Sequence, residues 1–133
     1  MFSQETYRAR LESARRCSLV DVNCHGTVLY LLRHRDVDKC ATHEVLLEYL
    51  DPKPLETPEI GHVGIIVITT YKFIAHSGIV TSTDPVLLTH RNGRNKHVIE
   101  DEPADQILER YRKCNDVVTV EYRRPKVILG IAV

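Results

Sequence analysis

Cys24, His76 and His90 are the residues of this sequence whose types and settings suit nucleophilic chemistry. Cys24 opens the apolar run Val22-Asn23-Cys24-His25-Gly26-Thr27-Val28-Leu29-Tyr30-Leu31-Leu32, which reads as a helix buried on most sides. The first turn of a helix leaves backbone N–H groups unpaired, and with the macrodipole they place about half a positive charge there. That field stabilises a thiolate, and the same N–H groups can receive the oxyanion formed when a carbonyl is attacked. A cysteine nucleophile also needs a base within hydrogen-bond reach and a group that orients the base. His76 lies in Phe73-Ile74-Ala75-His76-Ser77-Gly78-Ile79-Val80, and His90 ends Val86-Leu87-Leu88-Thr89-His90. Their even separation about a hairpin link at Ser82-Thr83-Asp84-Pro85 puts the two rings on neighbouring strands and one face. Taken singly, a buried cysteine or a core histidine is ordinary packing. The three together favour chemistry.

The elements that must position them follow from hydropathy patterning. Gln4 to Arg16 carries Tyr7, Leu11 and Ala14 at amphipathic helical spacing, with Ser3 as its N-cap. Arg33 to Lys39 reads as a charged turn, and Thr42 to Leu50 as a short helix capped by Thr42 with Glu44 in its acidic first turn. Three prolines between Pro52 and Pro58 exclude regular helix or central strand, so Asp51 to Gly61 is an extended connector. Val63 to Thr69, Phe73 to Thr81 and Val86 to His90 are β-branched runs separated by turn residues, an antiparallel meander. Asn92-Gly93-Arg94-Asn95 is a further turn and His97 to Ile99 a small strand. Pro103 to Lys113 reads as a helix with Ile107, Leu108 and Tyr111 inward; Val117 to Tyr122 and Lys126 to Val133 read as two more strands. Helices followed by a largely antiparallel sheet define an α+β fold in one domain spanning residues 1–133.

Eighteen basic and eighteen acidic residues balance, so no global field draws the chain to nucleic acid or a membrane surface, and any partner is recognised locally. Met1 to Thr6 lacks a basic-then-apolar leader, and no run is long enough to cross a bilayer. The expectation is a cytoplasmic protein, or one exported by a signal-independent route. Cys17, Cys24, Cys40 and Cys114 are scattered without a CxxC pair, which argues for reduced thiols. Thiolate plus two imidazoles is a chemically sound zinc set, but the spacing favours no metal and no cofactor. His34 and His43 stand in polar contexts and read as exposed. The basic residues Arg91, Arg94, Lys96, Arg110, Arg112 and Lys113 read as a solvated face that can also meet an anionic substrate.

Asn23-Cys24-His25-Gly26 at the head of an apolar helix resembles the Asp-Cys-Ser-Gly motif of the NlpC/P60 papain-like cysteine peptidases. Glu59-Ile60-Gly61-His62-Val63-Gly64-Ile65-Ile66-Val67 resembles that family's turn and first strand. His76-Ser77-Gly78-Ile79 resembles its base-bearing strand, and His90 falls where its orienting residue belongs. The resemblance covers Leu19 to Ile99 and implies a papain-like fold with a Cys24, His76, His90 triad. A second register, with His62 as base and His76 as orienting group, leaves only the proline-rich connector before the base strand. Asn23 and His25 stand where the family places an Asp and a Ser that help hold a substrate amine, and an Asn offers that amine no charge. Asn23, His25 and Asp21 are the substrate-side candidates; His25 points about 100° away from Cys24 around the helix and is not the base. Asn92 is an alternative orienting group, and Asp84 a further candidate for substrate contact.

The function these parts imply is hydrolysis of an amide bond by a cysteine nucleophile. By resemblance the substrate is a cell-wall peptide or another small peptide or isopeptide. The same parts also suit an acyltransferase or thioesterase that passes a thioester to an amine or lipid acceptor, and a non-catalytic binding domain on the same scaffold. A Cys24 that alkylates no faster than a free thiol favours the binding domain.

Overall fold

Apolar spacing assembles the elements in the order the sequence suggests. In a computed structural model, residues 4–70, 72–114 and 117–126 are described. Helices α1 (Gln4–Arg16), α2 (Cys24–Leu31) and α3 (His43–Glu48) precede strands β1 (Val63–Ile68), β2 (Phe73–Thr83) and β3 (Val86–Arg91). Strand β4 (Val98–Pro103), helix α4 (Ala104–Arg112) and strand β5 (Val118–Arg123) follow. The Thr42 hydroxyl accepts from the Val45 N–H and stops α3 from fraying at its start. The strands form one antiparallel sheet in the order β4-β3-β2-β1-β5. The fold is α+β.

Alternation along the strands gives the sheet two apolar faces. Val63, Ile65 and Ile79 join Leu11, Val28, Leu29 and Leu46 of the first three helices in one core. Ile66, Val80 and Leu88 join Ala104, Ile107 and Leu108 of α4 in the other. Helices therefore cover both faces, with α2 on one and α4 on the other.

The registration of α2 on β3 rests on a buried ion pair. Arg91, which reads in the sequence as part of a solvated basic face, is fully buried. Its Nε donates to Thr27 Oγ1 (2.8 Å), Nη1 to the Lys96 carbonyl (2.7 Å), and Nη2 to Asp38 Oδ2 (2.8 Å) and the Ala14 carbonyl (3.0 Å). Thr27 Oγ1 in turn donates to Asp38 Oδ1 at 2.8 Å. One guanidinium so ties α1, α2 and β3 together, one turn from Cys24. Gly26 has a similar local reason: a Cβ there would stand 1.8 Å from the Lys39 carbonyl oxygen, so only glycine lets the 39–41 segment lie against the start of α2.

Three sequence expectations need correction. Strand β4 runs to Pro103 rather than ending at Ile99, because β3 offers the partners Leu88↔Glu102 and Leu87↔Pro103 beyond a register shift that passes over Glu100 and Asp101. Helix α4 consequently starts at Ala104. Strand β2 extends to Thr83, which shortens the link to Asp84-Pro85. The proposed cap at Ser3 and the strand beyond Lys126 lie outside the described residues.

Candidate active site

Asn23 holds the nucleophile's helix start. Its Oδ1 accepts from the Gly26 N–H (2.9 Å) and the Ala41 N–H (3.1 Å), and its Nδ2 donates to the Ala41 carbonyl (2.8 Å). Those bonds occupy three of the four positions an amide offers, so Asn23 is a cap and a brace before it is anything else. Cys24 is 6% exposed. Burial pushes its thiol up, against the pull of the backbone N–H groups of Ser77, His25 and Cys24 itself and of the Ser77 hydroxyl. The expected thiolate is therefore corrected: at neutral pH the resting group is a thiol, since desolvation exceeds the helix-start field.

His25 is the nearest imidazole, with Nδ1 3.7 Å from the Cys24 sulfur. Its Nε2 faces the Ile74 carbonyl at 3.3 Å and so carries the proton, which leaves Nδ1 to accept from the Ser77 hydroxyl at 2.7 Å. Both ring nitrogens are occupied by β2. Burial lowers its pKa to about 4, so the ring is neutral and acts as a clamp between α2 and β2.

His76, His90, Glu102 and Arg110 form a hydrogen-bonded series. Arg110 grips Glu102 with Nη1 on Oε2 and with Nη2 on Oε1 at 2.9 Å. That contact first, with the His90 bond adding to it, holds the carboxyl down at about 2. An ionised carboxylate only accepts, so His90 Nε2, 2.7 Å from Glu102 Oε1, carries a proton. Burial keeps His90 neutral, which leaves its Nδ1 bare. The 2.7 Å contact between His90 Nδ1 and His76 Nε2 then places a proton on His76 Nε2. Burial first and His90 next lower the pKa of His76 to about 3, so its Nδ1 is an unprotonated lone pair. That Nδ1 is buried without a hydrogen-bond partner. Three partners in series, Arg110, Glu102 and His90, thus dictate one tautomer of His76.

Counting along β2 from Val80, which packs under α4, places His76 on the α4 face, where its ring lies 5.5 Å from Tyr111 at 33°. The two histidines do share a face, but it is the one that α2 does not cover. His76, but not His90, reaches a cavity that Cys24 also lines, at the end of the sheet where the β1–β2 register shifts opposite Ile74 and His76. The cavity, of about 570 Å³, is lined by Cys24 and His25 of α2, Ile74 and His76 of β2, Arg94 of the β3–β4 turn and Tyr111 of α4. Cys24 and His76 border it without a hydrogen bond between them. Burial first and Cys24 next push Tyr111 up to about 12, so the phenol stays protonated at this wall.

Other candidates fall elsewhere. Asp21 is exposed, with a left-handed φ of 59°, and its carbonyl accepts from the Cys40 N–H. Asp84 lies in the β2–β3 turn and Asn92 bonds through its backbone to His97. His62 accepts from the Glu59 N–H through Nδ1 and does not line the cavity, so the alternative register loses its base. His43 does line the cavity, 2.7 Å from Glu44, and His34 stacks on Tyr49 at 4.9 Å rather than standing exposed. Both nitrogens of His90 are engaged by His76 and Glu102, which leaves none for a metal. No metal-holding cluster of His, Cys, Asp or Glu occurs among the described residues, nor any helix long and apolar enough to cross a membrane.

Sequence reasoning missed Glu102, Arg110 and Tyr111. The signal was available in part: an acidic residue on a strand beside His90, followed eight positions later by an arginine on a helix, pairs two charges the sheet brings together. Set against known protein families, curated proteins and solved structures, the chain matches none.

These buried groups fix the pH dependence of stability. His76 and His25 titrate near 3 and 4 in the fold against an ordinary 6.5, so below about 6.5 the unfolded chain takes up protons that the native protein refuses. Stability is full above that value and falls as pH drops toward 3. Glu102 extends the loss, since its contribution is present above 4.5 and disappears as pH falls through about 2. Urea midpoints are expected to decline steadily from pH 7 to 4; a flat midpoint over that range would contradict the buried neutral imidazoles.

Proposed function

We propose that the protein is a cysteine hydrolase of amide bonds, on an NlpC/P60-like scaffold, with Cys24 as nucleophile, His76 as base and His90 as its orienting residue. The observation that carries the reading is that His76, whose Nδ1 is bare and unpartnered, lines the cavity that Cys24 also lines. The Cys24 sulfur attacks the amide carbon while His76 Nδ1 takes the thiol proton. The carbonyl oxygen becomes an oxyanion that the Cys24 backbone N–H stabilises. Collapse breaks the C–N bond, the amine leaves with the proton from His76, and a thioester remains on Cys24. Water then attacks the thioester as His76 Nδ1 removes its proton, the acid departs and the thiol regains a proton. Starting from neutral thiol and neutral imidazole, the proton moves during attack rather than before it.

The raised Cys24 thiol favours a second reading, a binding domain in which the cavity holds a ligand and no bond is broken. Acylation separates the two. Protein mixed with an activated acyl donor such as p-nitrophenyl acetate and quenched in acid is expected to carry one acetyl group on the Cys24 peptide, removable by neutral hydroxylamine. Acetylation of Cys24 no greater than that of Cys17, Cys40 or Cys114 would leave only the binding domain.

A further inference from the structure

The cavity has a charge that the reaction above does not use. Among the described residues that line it, Arg94 is the only lysine or arginine, and Glu44 the only carboxylate. Glu44 is engaged by His43 Nε2 at 2.7 Å, whereas no ion pair or hydrogen bond to the Arg94 guanidinium occurs among the described residues. The turn that carries the cation is held in place. Gly93 and Asn95 take left-handed conformations at φ 124° and 57°, suited to glycine and asparagine. Asn95 then clamps the turn to Val22: its N–H donates to the Val22 carbonyl at 2.8 Å and its Oδ1 accepts from the Val22 N–H at 3.2 Å. Val22 is two residues before Cys24, so the turn that carries Arg94 is bolted to the segment that carries the nucleophile. The Arg94 charge reaches the Cys40 thiol on the same wall.

We propose that Arg94 forms a carboxylate-recognising subsite in this cavity, so that the substrate brought to Cys24 carries a carboxylate close to its scissile amide. A guanidinium presents paired N–H donors that match a carboxylate's two oxygens, and a partly enclosed wall screens the attraction less than open water does. The statement about substrate rests on the hydrolase reading; the subsite itself does not. The carboxylate is either a chain end or a side chain.

Alkylation of Cys24 tests the subsite without any amide turnover. Iodoacetate and iodoacetamide both transfer a carbon to sulfur with loss of iodide, and differ in charge. The ratio of their rates at Cys24, read by peptide mass mapping, is expected to fall about fivefold in Arg94→Ala, to be largely kept in Arg94→Lys, and to shrink in high salt. Arg94 is exposed, so the fold survives the substitution and equal thermal midpoints check it. An unchanged ratio in Arg94→Ala overturns the proposal. Protection from iodoacetamide by N-acetylglycine, but not by its neutral amide, identifies a chain-end carboxylate. Protection by the α-amide of N-acetylglutamate identifies a side-chain one. Equal protection by charged and neutral compounds, or none, overturns the subsite. A positive result with no acylation of Cys24 leaves a carboxylate-binding cavity that is not a hydrolase.

Discussion

On the proposed reading, His76→Ala is expected to lower kcat/KM for amide hydrolysis by about 10²- to 10⁴-fold, the range for loss of a positioned general base, with little change in KM. On that reading the expectation follows from the order of protons: the Glu102 carboxylate fixes His90, and His90 fixes the tautomer that leaves His76 Nδ1 bare. His90→Ala should cost about 10²-fold and Glu102→Leu about tenfold, because each removes orientation and leaves the base present. The double variant His76→Ala/His90→Ala should be no slower than His76→Ala alone, as groups acting as one unit are not additive. Because burial holds His76 near 3, the acid limb of kcat/KM should fall well below that of an exposed imidazole, leaving activity at pH 5. Wild-type rates in His76→Ala would end its assignment as base.

Arg91→Met is expected to destabilise the fold by about 3–5 kcal/mol, the cost of leaving one member of a buried ion pair alone. Asp38, 6% exposed at its side chain, would keep a charge with only the Thr27 hydroxyl and the Cys17 thiol still engaged, and the Ala14 and Lys96 carbonyls would lose their Arg91 donor. Adding Asp38→Leu should return a large part of that loss, since no buried charge then remains. The exposed Arg112–Glu109 pair is the internal control, with an expected cost below about 1 kcal/mol. Urea denaturation measures all three. If Arg91→Met shifts the midpoint no more than Arg112→Met does, the pinning role of Arg91 is wrong.

Local patterns carried much of the fold because each element satisfies its own rule: Tyr7, Leu11 and Ala14 sit at helical spacing, Thr42 caps α3, and the β-branched runs pair in sequence order. What stayed hidden depends on partners far along the chain. Glu102 looks like part of an acidic turn until β3 pairs with it, and Arg91 looks like a surface arginine until Asp38 is seen opposite. The thiol's protonation was illegible for a related reason: helix-start position is a local feature, but burial under the rest of the fold is not. Burial on the α2 face and imidazoles on the α4 face also cannot be read from alternation alone, because the cavity that joins them lies at a register shift.

The connector from Asp51 to Gly61 divides the chain into a portion that carries Cys24 and a portion that carries His76, His90 and Arg110. During synthesis the Cys24-bearing portion emerges first, with His25 beside the thiol but without His76. On the proposed reading, reactivity switches on only after the last helix has left the ribosome and docked, so unfinished chains carry a harmless thiol. On the same reading, a cleavage within that connector parts Cys24 from His76, and activity returns only when the two fragments recombine.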